Sequence, residues 1–217
     1  MNKKKINFEL TKQSVLLKML MIVAKMDYDN LIAAYQYGSR TYKNYSEKSD
    51  FDFTIVVKKK GREQFKNRVF NDSFFTKEEH QERLNNHEIS ALESYFLPKE
   101  FVLYQRKNYR PLFKLDLVKL RHSLSAKASN SFVKAKKKLT VAKDYDKDIG
   151  RKSLWHSFRI IAFGIQIATQ GKIFDYSACN ELFKEIMQVY SWDELFKKYK
   201  KEHNKIMSEF RKFAPKE

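Results

Sequence analysis

Asp50 and Asp52 stand two residues apart at the head of an alternating run, in which Phe51, Phe53, Ile55 and Val57 are apolar. As a strand, this stretch puts Asp50, Asp52, Thr54 and Val56 on one face and the four apolar side chains on the other. Two carboxylates one pleat apart repel each other unless a cation sits between them. Their oxygens suit magnesium, which bridges a few carboxylates and the phosphates of a substrate. Ahead of them lies Gly38-Ser39, after a segment (31–37) expected to be a strand and before residues 40–44, which could start a helix. Glycine permits a sharp turn with close backbone approach. A serine at a helix N-terminus sets a hydroxyl beside free N–H groups, an arrangement suited to phosphate. Arg40 and Lys48 are near enough in sequence to share that charge. An Asp-x-Asp alone is common and could equally be a solvated pair at a strand start.

The whole stretch is more specific than its parts. Gly38-Ser39 after a strand, a spacer of nine residues, then Ser49-Asp50-Phe51-Asp52-Phe53 opening a second strand resembles the signature of the DNA polymerase β superfamily of nucleotidyltransferases. The resemblance covers about residues 31–57. It implies transfer of an NMP from an NTP to a hydroxyl acceptor with release of pyrophosphate. It further implies two magnesium (or manganese) ions held by Asp50, Asp52 and a third carboxylate, with Gly38 and Ser39 on the β- and γ-phosphates. For the third carboxylate, Glu88 in His87-Glu88-Ile89 is preferred, as the next acid on an expected strand. Asp116 in Leu115-Asp116-Leu117 is the alternative, although it could simply cap a following helix.

Lys152, His156 and Arg159 are spaced four and three apart and share one helical face. The opposite side (Leu154, Phe158, Ile161, Ile165, Ala168) is strongly apolar, so charges on this helix need partners. With the later Gly171, the pattern is similar to the minimal nucleotidyltransferases associated with RNA repair and RNA ligases. That likeness implies ATP or another NTP as donor, RNA as acceptor, Lys152 and Arg159 on phosphate oxygens, and His156 on sugar or phosphate. The plainer alternative is pairing with acidic residues of neighbouring loops, or extension to solvent.

Composition bounds the rest. The chain has 217 residues, 42% hydrophobic and 15% aromatic, enough for a substantial core. Its net charge of +18, from 44 Lys and Arg against 26 Asp and Glu, points to a polyanionic partner, nucleic acid above all. One cysteine, Cys179, excludes an internal disulfide and fits a reducing cytoplasm. No stretch is long and apolar enough for a membrane span, and residues 1–10 lack the apolar region of a signal peptide.

In chain order, residues 11–27 are expected as an amphipathic helix with Val15, Met19, Ile22 and Met26 on its stripe, widened by Leu16, Leu20 and Val23. Helices are expected over 62–70 and 77–84, a strand over 87–91, a short helix over 92–97 stopped by Pro98, and a strand over 100–105. From about 116 the chain reads as helical, over 127–143, 152–170, 177–190 and 191–213. Lys134, Lys137 and Lys138 lie away from the apolar stripe of the first of these, as a basic ridge that could bind RNA. The expected architecture is α/β (α+β): a nucleotidyltransferase-type mixed sheet with flanking helices in 1–115, then a helical lobe in 116–217 that completes a cleft. Other acceptors (a protein side chain, a small molecule, a second nucleotide) are compatible with the same fold. So is a silent RNA-binding or antitoxin-like module, although the intact Gly38, Ser39, Asp50 and Asp52 argue against silence.

Overall fold

The computed structural model describes residues 12–216; residues 1–10 and Thr11 of the first expected helix lie outside them. Helix α1 (Lys12–Val23) precedes strand β1 (Leu31–Tyr37), a 3-10 turn (Gly38–Arg40) and strand β2 (Phe51–Val57). Then come β3 (Gln64–Lys66), β4 (Phe70–Thr76), α2 (Lys77–Asn85), α3 (Ile89–Tyr95) and β5 (Val102–Gln105). The remainder is helical: α4 (Leu117–Thr140), α5 (Lys147–Gln170), α6 (Asn180–Ile186) and α7 (Trp192–Phe213). The fold class is α/β, with five strands ordered β3-β4-β2-β1-β5. β2 runs parallel to β4 and antiparallel to β1.

The sheet separates two environments. Its back face carries Phe53, Ile55, Phe70 and Phe74, packed against Leu16, Leu17, Leu20 and Met21 of α1. Leu16 and Leu20 of the expected stripe are buried, but its centre is turned away: Val15, Met19 and Ile22 are exposed, because Leu16, Leu17, Leu20, Met21 and Ala24 fit the sheet with a full apolar stripe. The front face carries Tyr35, Asp52 and Thr54, and α3 crosses it to join α4, α5 and α7 in one apolar cluster. α4 and α5 pack along most of their length, and α4 starts at Asp116, whose carboxylate accepts from Lys119 N. α5 starts at Asp146 in the same way and stops at Gly171, whose φ of 71° places it in the left-handed region. Among the described residues no helix is long and apolar enough to cross a membrane.

Two expectations fail in ways that matter for the site. Residues 62–70, expected as helix, form β3 and the turn into β4 instead. Asn67 makes that turn, its Oδ1 accepting from the N–H groups of Val69 and Phe70, and Phe70 and Phe74 insert into the core at strand period. Residues 87–91, expected as strand, are a left-handed His87 (φ 54°), then Glu88 as the N-cap of α3. Ile89 and Leu92, three apart, enter the helical core.

Candidate active site

The β1–β2 register sets Tyr37 opposite Asp52, so the Gly-Ser turn that leaves β1 arrives beside the carboxylate that enters β2. Gly38 has φ 79°, and a Cβ there would fall 2.7 Å from Cγ of Asp52 and nearer still to Oδ2. Glycine is required twice over, by backbone conformation and by the carboxylate lying against it. On the other side, β4 runs parallel and sets Asn71 opposite Asp52. Asn71 Nδ2 donates to Asp52 Oδ1 at 2.7 Å, and Lys66 of β3 pairs with Asn71 on the edge of the same face. Burial pushes the Asp52 carboxyl up to about 6; donation from Asn71 opposes this, the charge of Asp50 adds to it, and Lys66 and Lys152 draw it down. Two acids, a glycine turn and two lysines thus converge at one end of the sheet. Sequence reasoning misses Lys66 because residues 62–70 read as helix, and Asn71 because no element is expected over 71–76.

The third carboxylate expected from the sequence does not join the pair. Glu88 is not on a strand; it begins α3 and ion-pairs with Arg83 Nε at 2.8 Å. Asp116 caps α4, and its own N–H donates to Nε2 of His87 at 2.9 Å. No group of three or more metal-capable side chains occurs among the described residues. The strand neighbour of Asp52 is the amide of Asn71. The one acid on β4, Asp72, pairs with Phe53 in register and points into the back core, where neither carboxylate oxygen has a hydrogen-bond partner. Arg40 is also drawn away from a phosphate role: it donates to Ser49 O at 2.9 Å and stacks over Phe51 at 3.8 Å. It fixes the loop between the turn and β2. Ser39 lies in the turn, partly exposed, and Lys48 is exposed in that loop.

The helical half approaches the same face through α5. Lys152 is exposed and close enough to Asp52 to lower its pKa. Arg159 is buried and bonds to Glu93 of α3 at 2.8 Å. Glu93 also accepts from the Tyr42 hydroxyl at 2.7 Å, and the Arg159 guanidinium lies 3.7 Å over the Tyr42 ring. The phosphate role expected for Arg159 is therefore corrected: its charge is committed to a clamp joining α5, α3 and the segment after the Gly-Ser turn. Asn180 adds to the clamp by donating to Tyr42 O at 2.7 Å.

Arg159 also faces His156 Nδ1 at 3.0 Å. A guanidinium can only donate, so Nδ1 accepts and the proton of the neutral ring resides on Nε2. Burial holds His156 well below the usual histidine range, reinforced by Arg159, Lys134, Lys152 and Lys127. Of the expected basic ridge, Lys137 and Lys138 both pair with Asp144, at 3.1 and 2.7 Å. Lys134 has no ion pair among the described residues and bears on His156.

The sequence matches no protein-family model and no curated protein. Among solved structures, the chain is similar to spectinomycin adenyltransferase from Enterococcus faecialis, crystallised with ATP and spectinomycin. The TM-score is 0.45 at 13% identity, covering 93% of this chain and 98% of that one. A nucleotidyltransferase-like protein from Exiguobacterium sibiricum is similar at TM-score 0.35 and 10% identity, covering 93% and 74%. Both are distant likenesses.

Proposed function

We propose that this chain is a nucleotidyltransferase of the DNA polymerase β type, transferring an NMP from an NTP to an acceptor hydroxyl with release of pyrophosphate. The observation that carries this reading is the contact between Gly38 and Asp52, because it brings the Gly-Ser turn and a strand-borne carboxylate to one point. The raised pKa of Asp52, with Asp50 beside it, marks a negative site that favours a proton or a cation. Two carboxylates without a third fit one magnesium ion, completed by substrate phosphates. Such an ion, when bound, neutralises phosphate charge and favours ionisation of the acceptor hydroxyl. The chain's own contribution is positional. Gly38 and Ser39 hold the β- and γ-phosphates, Lys152 adds charge from across the cleft, and Asn71 fixes the orientation of Asp52 by donating to one of its oxygens.

The test incubates purified protein with magnesium, each labelled NTP in turn, and total RNA, with pyrophosphate release as a second readout. Label transfer and pyrophosphate are expected with the wild type and neither with Asp52→Asn. Equal release by that variant removes the carboxylate site from the reaction.

A further inference from the structure

A groove of about 660 Å³ runs between α3 and the front of α4, lined in part by Glu88, Ser90, Lys119, His122, Lys127 and Asn130. On α4, Lys119, Ser123, Lys127, Asn130 and Lys134 recur at helical spacing and form one continuous polar face. It lies about a quarter-turn around the helix from the apolar stripe of Leu120, Leu124, Ala128 and Ala135. The acid in the groove, Glu88, is answered by Arg83, whereas Lys119 and Lys127 have no ion pair among the described residues. Beyond the groove, Lys127 and Lys134 of α4 and Lys152 of α5 all bear on His156, and Lys152 bears on Asp52 as well. The lysines thus form a track that leads from the groove to the carboxylate pair. From Lys119 to Lys134 the helix rises about 22 Å, room for several nucleotides of single strand. Asp116 bears on Lys119 from the helix cap, but Lys127 and Lys134 have no ion pair among the described residues, and an anionic ligand relieves the repulsion among the lysines.

We infer that the acceptor is the end of an RNA strand, laid along α4 with its phosphates on Lys119, Lys127 and Lys134 and its terminal hydroxyl at Asp52; this rests on the nucleotidyl-transfer reading above. His156 supplies Nε2–H at the junction, where its neutral ring donates to a phosphate or ribose oxygen. Ser90, Ser123 and Asn130 offer hydrogen bonds to ribose hydroxyls, which DNA lacks. A cationic small-molecule acceptor would meet the same lysines as repulsion. Lys137 and Lys138 fall outside the track because Asp144 holds them.

Binding of a labelled single-stranded RNA, measured by fluorescence anisotropy without NTP or magnesium, tests the track independently of transfer. Lys119→Gln with Lys127→Gln, both at exposed positions, should weaken binding about tenfold and make the slope of log K against log salt shallower by about 1.4, two phosphates' worth. Lys137→Gln with Lys138→Gln should change both far less. Wild-type binding by the first pair, or equal loss from both pairs, overturns the track. Equal affinity for DNA of the same sequence overturns the ribose assignment. RNA binding that persists while pyrophosphate release is absent would refute the transfer reading alone.

Discussion

Asp72 gives the sharpest quantitative test of the fold. Its side chain is fully buried, on the face of β4 that meets the apolar back core, and neither oxygen is hydrogen-bonded. Burial pushes its carboxyl from 3.8 to about 7; nearby Arg62 draws it down, and Asp52 on the front face adds to the rise. A carboxylate whose folded pKa is raised keeps its proton longer in the folded than in the unfolded chain. Its contribution is therefore unpenalised below the unfolded pKa, and stability is lost progressively as pH climbs towards the folded value. A shift of roughly three units corresponds to about 4 kcal/mol once pH exceeds 7, and about 2.5 kcal/mol of that emerges between pH 5 and pH 8. Asp72→Asn keeps the shape and removes the titration. Urea unfolding of both proteins at pH 5, 6, 7 and 8 isolates the effect, because other titrating groups largely cancel in the difference. The Asn variant should gain on the wild type steadily across this range and be the more stable at pH 8. Parallel profiles would show that Asp72 ionises normally. A variant that loses stability at pH 8 would show instead that Arg62, which stacks on Phe65 and Phe74, turns to form an ion pair with Asp72. Either outcome refutes the assignment of an unpaired buried acid.

Three further outcomes follow from the site. Gly38→Ala should abolish measurable transfer while costing about 1–2 kcal/mol in backbone strain, checked by pyrophosphate release and a thermal melt; unaltered turnover would place the phosphates elsewhere. Asn71→Asp sets a third carboxylate beside Asp52, so magnesium affinity, read by calorimetry in the absence of nucleotide, should rise at least severalfold; no change would mean that the β4 edge does not face the ion. Glu93→Gln leaves Arg159 buried without its counter-charge and should cost about 3–5 kcal/mol in chemical denaturation. The fraction still folded should keep its NTP affinity, and a variant that instead loses nucleotide affinity at full stability would return Arg159 to the phosphates.

How much of this was legible beforehand depends on how local the signal is. The strand–turn–strand from Leu31 to Val57 is readable because its alternation has period two and Gly38 marks the turn that ends the first strand. Strand β4 is not, since Asp72 interrupts the apolar alternation of Phe70 and Phe74, and Asn71-Asp72 has the composition of a turn. With that strand went Asn71, the neighbour that occupies the place where a third acid was sought. Glu88 was assigned to a strand on five residues, too few to separate a strand from the first turn of a helix. Asp116 as a cap could be anticipated from its place before a helical pattern. The Arg159–Glu93 pair spans 66 residues, and nothing in either neighbourhood announces the other.

That distant pair explains why three basic residues on one helical face do different work. Lys152 begins the seam near the carboxylates, is exposed, and makes no ion pair among the described residues, while its charge reaches both Asp52 and Asp148. One turn on, His156 is already shielded enough to lose its charge, which leaves it a directional donor. After another turn Arg159 is fully enclosed, where a guanidinium is tolerated only because Glu93 and the Tyr42 ring surround it. Helical spacing makes the three look equivalent, but depth separates them: the charge stays free at the mouth of the cleft, is neutralised half-way in, and is paired at the bottom. The pairing at the bottom sets the histidine tautomer half-way up, because Arg159 can only donate to Nδ1. Glu93 thereby anchors both the approach of the two halves and the tautomer of His156, so the rigidity of the clamp and the position of the histidine proton have one structural origin.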